Sequence, residues 1–175
     1  VLILGIDPGT AVTGYGVVRS EPRPTLVECG VIRTRPETPL PERLRAISDG
    51  VRELLARHRP DAMAVEAVFY ARNVRTTIVL GHTRGVILLA GAEAGLPIHE
   101  YPPADIKKAI AGTGAATKPQ IQFMLTKLLR LTRAPEPNDA ADGVAAALTC
   151  ALRAPLARAL AGHPTVRGLG RGKGR

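Results

Sequence analysis

A chain of 175 residues that is 45% apolar can bury one sizeable core, and its length argues for a single domain. Its net charge of +9 points to an anionic partner, nucleic acid first, although +6 of that excess sits in residues 153–175, which hold five arginines, one lysine and no acid. Two cysteines, Cys29 and Cys150, form no disulfide framework, four scattered histidines offer no zinc spacing, and no apolar run approaches the roughly 20 residues that span a bilayer, so a cytoplasmic protein without a membrane partner is expected.

The chain opens on "VLILGID", a short apolar run without a basic leader that ends at a carboxylate, followed by the turn "PGTAVTG". "YGVVRS" and "TLVECGVIRTR" read as two further strands, so the first three form an antiparallel meander. "LPERLRAISDGVRELLARH" is a helix with Leu44, Ile47, Val51, Leu54 and Leu55 on one face. "DAMAVEAVF" is a buried strand, residues 73–94 a long helix, and "LPIHEY" another strand. The long helix carries Gly81 and Gly85 four residues apart, each at a cost of about 1 kcal/mol, which predicts close approach of another backbone from the sheet or from a second subunit.

Helices dominate from there to about residue 154. "TKPQIQFMLTKLLRL" is the best marked: Thr117 and Gln120 form a capping box, Pro119 lies in the first turn, and Ile121, Met124, Leu125 and Leu128 make the apolar stripe. Lys118 opposes the helix dipole there, which suggests that it meets an anion from outside. Residues 106–133 hold Lys107, Lys108, Lys118, Lys127, Arg130 and Arg133 without one acid, either a solvated surface or one that tracks phosphates. The expected architecture is α/β: a mixed five-stranded sheet, three antiparallel strands extended by parallel ones, flanked by helices. Residues 1–153 form the domain, and 154–175 a basic, disordered tail that either brushes phosphates or only solubilises.

Acids mark the candidate site. Asp7 ends "LILGID" and Glu66 interrupts "AMAVEAVF", each a charge in a segment otherwise fit for burial. Asp139 and Asp142, in "NDAADGVAAALTCAL", lie three apart on one helical face. Two readings compete for that pair: they complement the helix dipole behind an Asn138 N-cap, or they belong to a site. If the first and fourth strands are neighbours and the last helix crosses them, four carboxylates converge and repel one another unless a cation lies among them. Oxygen-only ligands select hard ions, Mg²⁺ or Mn²⁺, and two such ions about 4 Å apart would serve phosphodiester hydrolysis.

Taken together, "LGIDPGTAVTGYGVV", "AVEAVFYARN" and "NDAADGVAAAL" resemble, in order and separation, the RuvC family of Holliday junction resolvases, over residues 2 to about 153. The resemblance implies an RNase H-like fold and a homodimeric endonuclease that cuts four-way DNA junctions by paired symmetric nicks, with two Mg²⁺ or Mn²⁺ ions per active site. It implies that Asp7 is shared between both ions and that Glu66, Asp139 and Asp142 complete their coordination; the family also uses His at the position of Asp139. Phe69 matches an aromatic placed against an unstacked base, where an aromatic after a strand is otherwise core. Lys107 and Lys118 match basic positions near the scissile phosphate. Arg72 and Arg75 are backbone contacts or merely solvated. The helix bearing Gly81 and Gly85 corresponds to the dimerisation element, and a branch-migration motor is the implied partner.

Other readings stay open on the same residues. "GIDPGT" also resembles the phosphate loop of actin-like ATPases and sugar kinases, which need about twice this length to close a cleft. An RNA-processing nuclease of the same fold shares the first acidic position. A non-catalytic DNA-binding module would gain nothing from four carboxylates facing phosphate.

Overall fold

A computed structural model of the chain describes residues 1–67 and 73–161, with side chains up to residue 153. Phe69, Arg72 and residues 162–175 lie outside the described residues. Strands β1 (Leu2–Asp7), β2 (Val12–Arg19) and β3 (Thr25–Arg33) are followed by α1 (Leu40–His58), β4 (Ala62–Glu66), α2 (Val74–Glu93) and β5 (Ile98–Tyr101). Three helices complete the fold: α3 (Pro103–Ala111), α4 (Lys118–Leu128) and α5 (Asn138–Ala161).

The five strands form one sheet in the order β3-β2-β1-β4-β5. β1, β2 and β3 pair antiparallel, while β4 joins β1, and β5 joins β4, in parallel. This is the mixed sheet expected, with α1 and α2 serving as the long crossovers that parallel pairing demands.

Side-chain alternation divides the core in two. Leu4, Ile6, Val17, Met63 and Val65 pack with Ile47, Val51, Leu54 and Leu55 of α1 and with Ile87 of α2. Leu44, expected on the same helical face, is only half-buried. On the other face Ile3, Val18 and Ala64 belong to a second cluster built on the alanine-rich α5, which α3 and α4 join by packing on α5. No described helix is long and apolar enough to cross a membrane.

Helix boundaries match the sequence signals at some ends and depart at others. Gln120 Oε1 accepts the Thr117 N–H at 2.8 Å, as the capping box requires. Asn138, expected as an N-cap, is instead the first residue of α5; its Oδ1 accepts from Gln122 Nε2 at 2.7 Å. Of the helices expected to dominate after β5, the sequence singles out the segments of α4 and α5; α3 precedes them. At the far end α5 continues through residues 154–161, the start of the segment assigned to the tail.

Candidate active site

Parallel pairing sets Ile6 beside Val65, so Asp7 and Glu66 stand one residue further on, at the carboxyl ends of adjacent strands. Period-two alternation puts both on the face opposite Ile6 and Val65, the face covered by α5. The Ala67 N–H donates to Tyr101 O at 2.8 Å, which carries the β4–β5 pairing past Glu66 and fixes its backbone.

Glycines let α5 lie close enough to bring its acids over these strand ends. A Cβ on Gly16 would stand 2.5 Å from Val144 Cα, and one on Gly143 would stand 2.5 Å from Tyr15 Cα. Gly5 likewise faces Gly143 and Ala147, and Gly14 faces the backbone carbonyl of Asp139. Any side chain at these positions would lift the helix from the sheet.

Asp7, Glu66 and Asp142 line one cavity of about 250 Å³ with Lys107 and Lys118, walled by Ile106 and Ile121. Burial, reinforced by the charges of Glu66, Asp142 and Asp139, pushes the Asp7 carboxyl up to about 8. Burial and then Asp142 push Glu66 up to about 7, against the opposing pull of Lys118 and Lys107. Lys118 Nζ lies 3.3 Å from Asp142 Oδ2, and that carboxylate raises the lysine's own pKa. The anion that the exposed Lys118 meets is therefore a side chain of another helix. Asp139 does not line the cavity, but its charge reaches Asp7.

By donor chemistry these residues fit a hard cation, since all the acids are oxygen ligands and two of them are held at a cost in ionisation. Spacing is looser: among the described residues no three acidic, His or Cys side chains already form a group that would hold an ion.

A family profile described as crossover junction endodeoxyribonuclease RuvC matches residues 3–150. The enzyme of that name from Pelotomaculum thermopropionicum is 49% identical over 148 residues, covering 84% of this chain and 90% of its own. The chain belongs to the RuvC family. Thermus thermophilus RuvC superposes with a TM-score of 0.83 at 38% identity, covering 90% of this chain and 97% of that one. The same organism's RuvC in complex with Holliday junction substrate gives 0.81 at 36% identity over 89% and 95%. The fold is RNase H-like, as expected.

The stretch shared with the RuvC family runs through both strand ends and the start of α5. Arg75 stands apart from the carboxylates, in a separate cavity of about 380 Å³ with Thr10, Arg43 and Thr76. Gly81 and Gly85 are exposed on α2 with open space where a Cβ would be, so the sheet is not the neighbour that accounts for them. Sequence reasoning missed the glycines under α5. Their signal was the alternation "GYG" on β2 and the glycine of "GID", two residues before Asp7, readable only once the strands were paired. It also missed α3, which contributes Lys107 and Ile106 to the cavity from one helix.

Proposed function

We propose that this chain is a structure-selective endonuclease that resolves four-way Holliday junctions by paired symmetric nicks in DNA recombination and repair. One observation carries the reading: carboxylates from β1, β4 and α5 share a cavity with two lysines. Membership of the RuvC family supports the substrate class.

Asp7, Glu66, Asp142 and Asp139 are the residues that would hold two Mg²⁺ or Mn²⁺ ions, and the charge those ions supply would activate a water and stabilise the leaving oxygen of a phosphodiester. Hydrolysis by this route leaves 5′-phosphate and 3′-hydroxyl ends. Lys107 and Lys118 bring positive charge to the phosphate, and Lys118 exchanges its contact with Asp142, 3.3 Å away in the free protein, for one with substrate. Phe69 stacks on an unpaired base at the crossover, and Arg72 and Arg75 hold the backbone.

Two nicks of like polarity call for two active sites, and a homodimer supplies them about a two-fold axis shared with the junction. Support comes from α2, where Val74 is 75% exposed, Ile78 55% and Leu89 54%, alongside the open surfaces of Gly81 and Gly85. A branch-migration motor is the proposed working partner.

The test is cleavage of a synthetic four-way junction, linear duplex and RNA–DNA hybrid by the wild type and Asp7→Asn, with Mg²⁺, Mn²⁺ or EDTA. Paired nicks in the junction alone, requiring metal and Asp7, are expected. Cutting of the hybrid instead would move the function to RNA, and binding without cutting would leave a DNA-binding module.

A further inference from the structure

Beyond the carboxylate cavity, α4 borders a second concavity. Its Ile121 faces the carboxylates, while Pro119, Phe123 and Met124 face an open groove of about 360 Å³ shared with Ala111 and Ala116. Phe123 is 59% exposed, although the chain has only two phenylalanines and no tryptophan. It lies off the apolar stripe of its own helix, whose Ile121 and Leu125 are buried, so core packing does not account for it. Lys127, one turn later, sets its ammonium 5.3 Å from the ring centroid.

Charge identifies the occupant. Residues 106–133 contain no acid, Lys108, Lys127, Arg130 and Arg133 are exposed, and among the described residues no carboxylate pairs with any of them. An apolar protein segment would leave those cations uncompensated. A nucleic-acid strand satisfies both features, its phosphates meeting the lysines and arginines and a base meeting the ring. Gln120 adds a polar group at the groove: its Oε1 is engaged by Thr117, which leaves its amide N–H₂ as a donor to a base edge.

We propose that the α3–α4 groove binds an unpaired nucleobase of the DNA strand that passes the active site, stacked on Phe123 beneath Lys127. The proposal rests on the nuclease reading above and adds a base contact by a residue other than Phe69.

The test is equilibrium binding of the full chain to a single-stranded deoxythymidine 12-mer and to the same backbone with abasic sites. The wild type should prefer the base-bearing strand by roughly 5- to 100-fold. Phe123→Ala and Phe123→Leu should lose most of that preference while melting as the wild type does, and Phe123→Tyr should keep it. Equal wild-type affinity for the two strands, or full preference in Phe123→Ala, overturns the proposal and assigns the groove to a protein contact. Junction cleavage by the wild type separates the two ideas. Cleavage without a Phe123-dependent base preference sinks the groove alone, whereas a Phe123-dependent preference without cleavage sinks the resolvase reading and keeps the groove.

Discussion

The two faces of the sheet are built from different residues. Under α1 and α2 the sheet offers Leu4, Ile6, Val17, Met63 and Val65, large side chains that fill the gap between backbones. Under α5 it offers Gly5, Gly14, Gly16 and Ala64, and the helix answers with Gly143 and a run of alanines. Buried apolar area is what stabilises the first face, at about 25 cal/mol per Å². The second gives up side-chain area for a close backbone approach, and Asp7, Glu66 and Asp142 lie at the end of that close contact. Large residues set stability here, and small ones set the position of charge.

The largest effect expected is at the charges themselves. Asp7→Asn should lower junction cleavage by roughly 10³-fold, comparable to the loss of preorganised electrostatic stabilisation elsewhere, while the protein stays folded and still binds junctions. Next comes the small-residue face. Gly16→Val must displace the Val144 backbone, and should cost roughly 3 kcal/mol or more in denaturant unfolding. The same measurement on Ile47→Val, on the opposite face, should show about 1 kcal/mol with cleavage retained. If both substitutions cost the same, the division between the faces is wrong.

Lys118→Ala should reduce cleavage on the order of tenfold and change stability by less than about 1 kcal/mol, because its contact with Asp142 is a solvent-exposed pair. A turnover equal to wild type would remove this lysine from the chemistry. The last effect concerns pH and is read on stability rather than on cleavage. Asp7 and Glu66 hold their protons more tightly folded than unfolded, so the folded state binds more protons between about pH 4 and 8. Metal-free protein should therefore lose stability as pH rises through that window. Asp7→Asn should flatten the slope and gain at least about 1 kcal/mol at pH 8.

Much of the fold and of the site is legible in the sequence. Asp7 and Glu66 each close an apolar run, and a charge at such a place is visible because burial makes it expensive. The sheet followed from tight connections early in the chain and helical crossovers later. Gly5, Gly14, Gly16 and Gly143 were not legible as a group, since a glycine in a strand or helix reads locally as weakness and only the packing of α5 on the paired strands shows that the three strand glycines and Gly143 share one contact. Asn138 shows the converse: its residue type suits an N-cap, but Gln122 from α4 competes for its oxygen. Pro155 is a stop signal by its missing N–H, yet α5 runs through it to Ala161. Lys118 was visible as a cation misplaced against a dipole, and its partner Asp142, 24 residues away, was not.

The chemistry of the site depends on whether the three converging carboxylates form a cation site or only a strained corner of the fold. The direct measurement is thermal unfolding of wild type and Asp7→Asn, titrated with Mn²⁺ and Mg²⁺ at pH 8. Binding to the folded state stabilises the wild type by RT ln(1 + [M]/Kd), so its melting temperature should keep rising with the logarithm of metal concentration above Kd, a shift that Asp7→Asn should lose. An identical shift in both proteins, or none in either, would contradict the account and return Asp7 to a purely structural role.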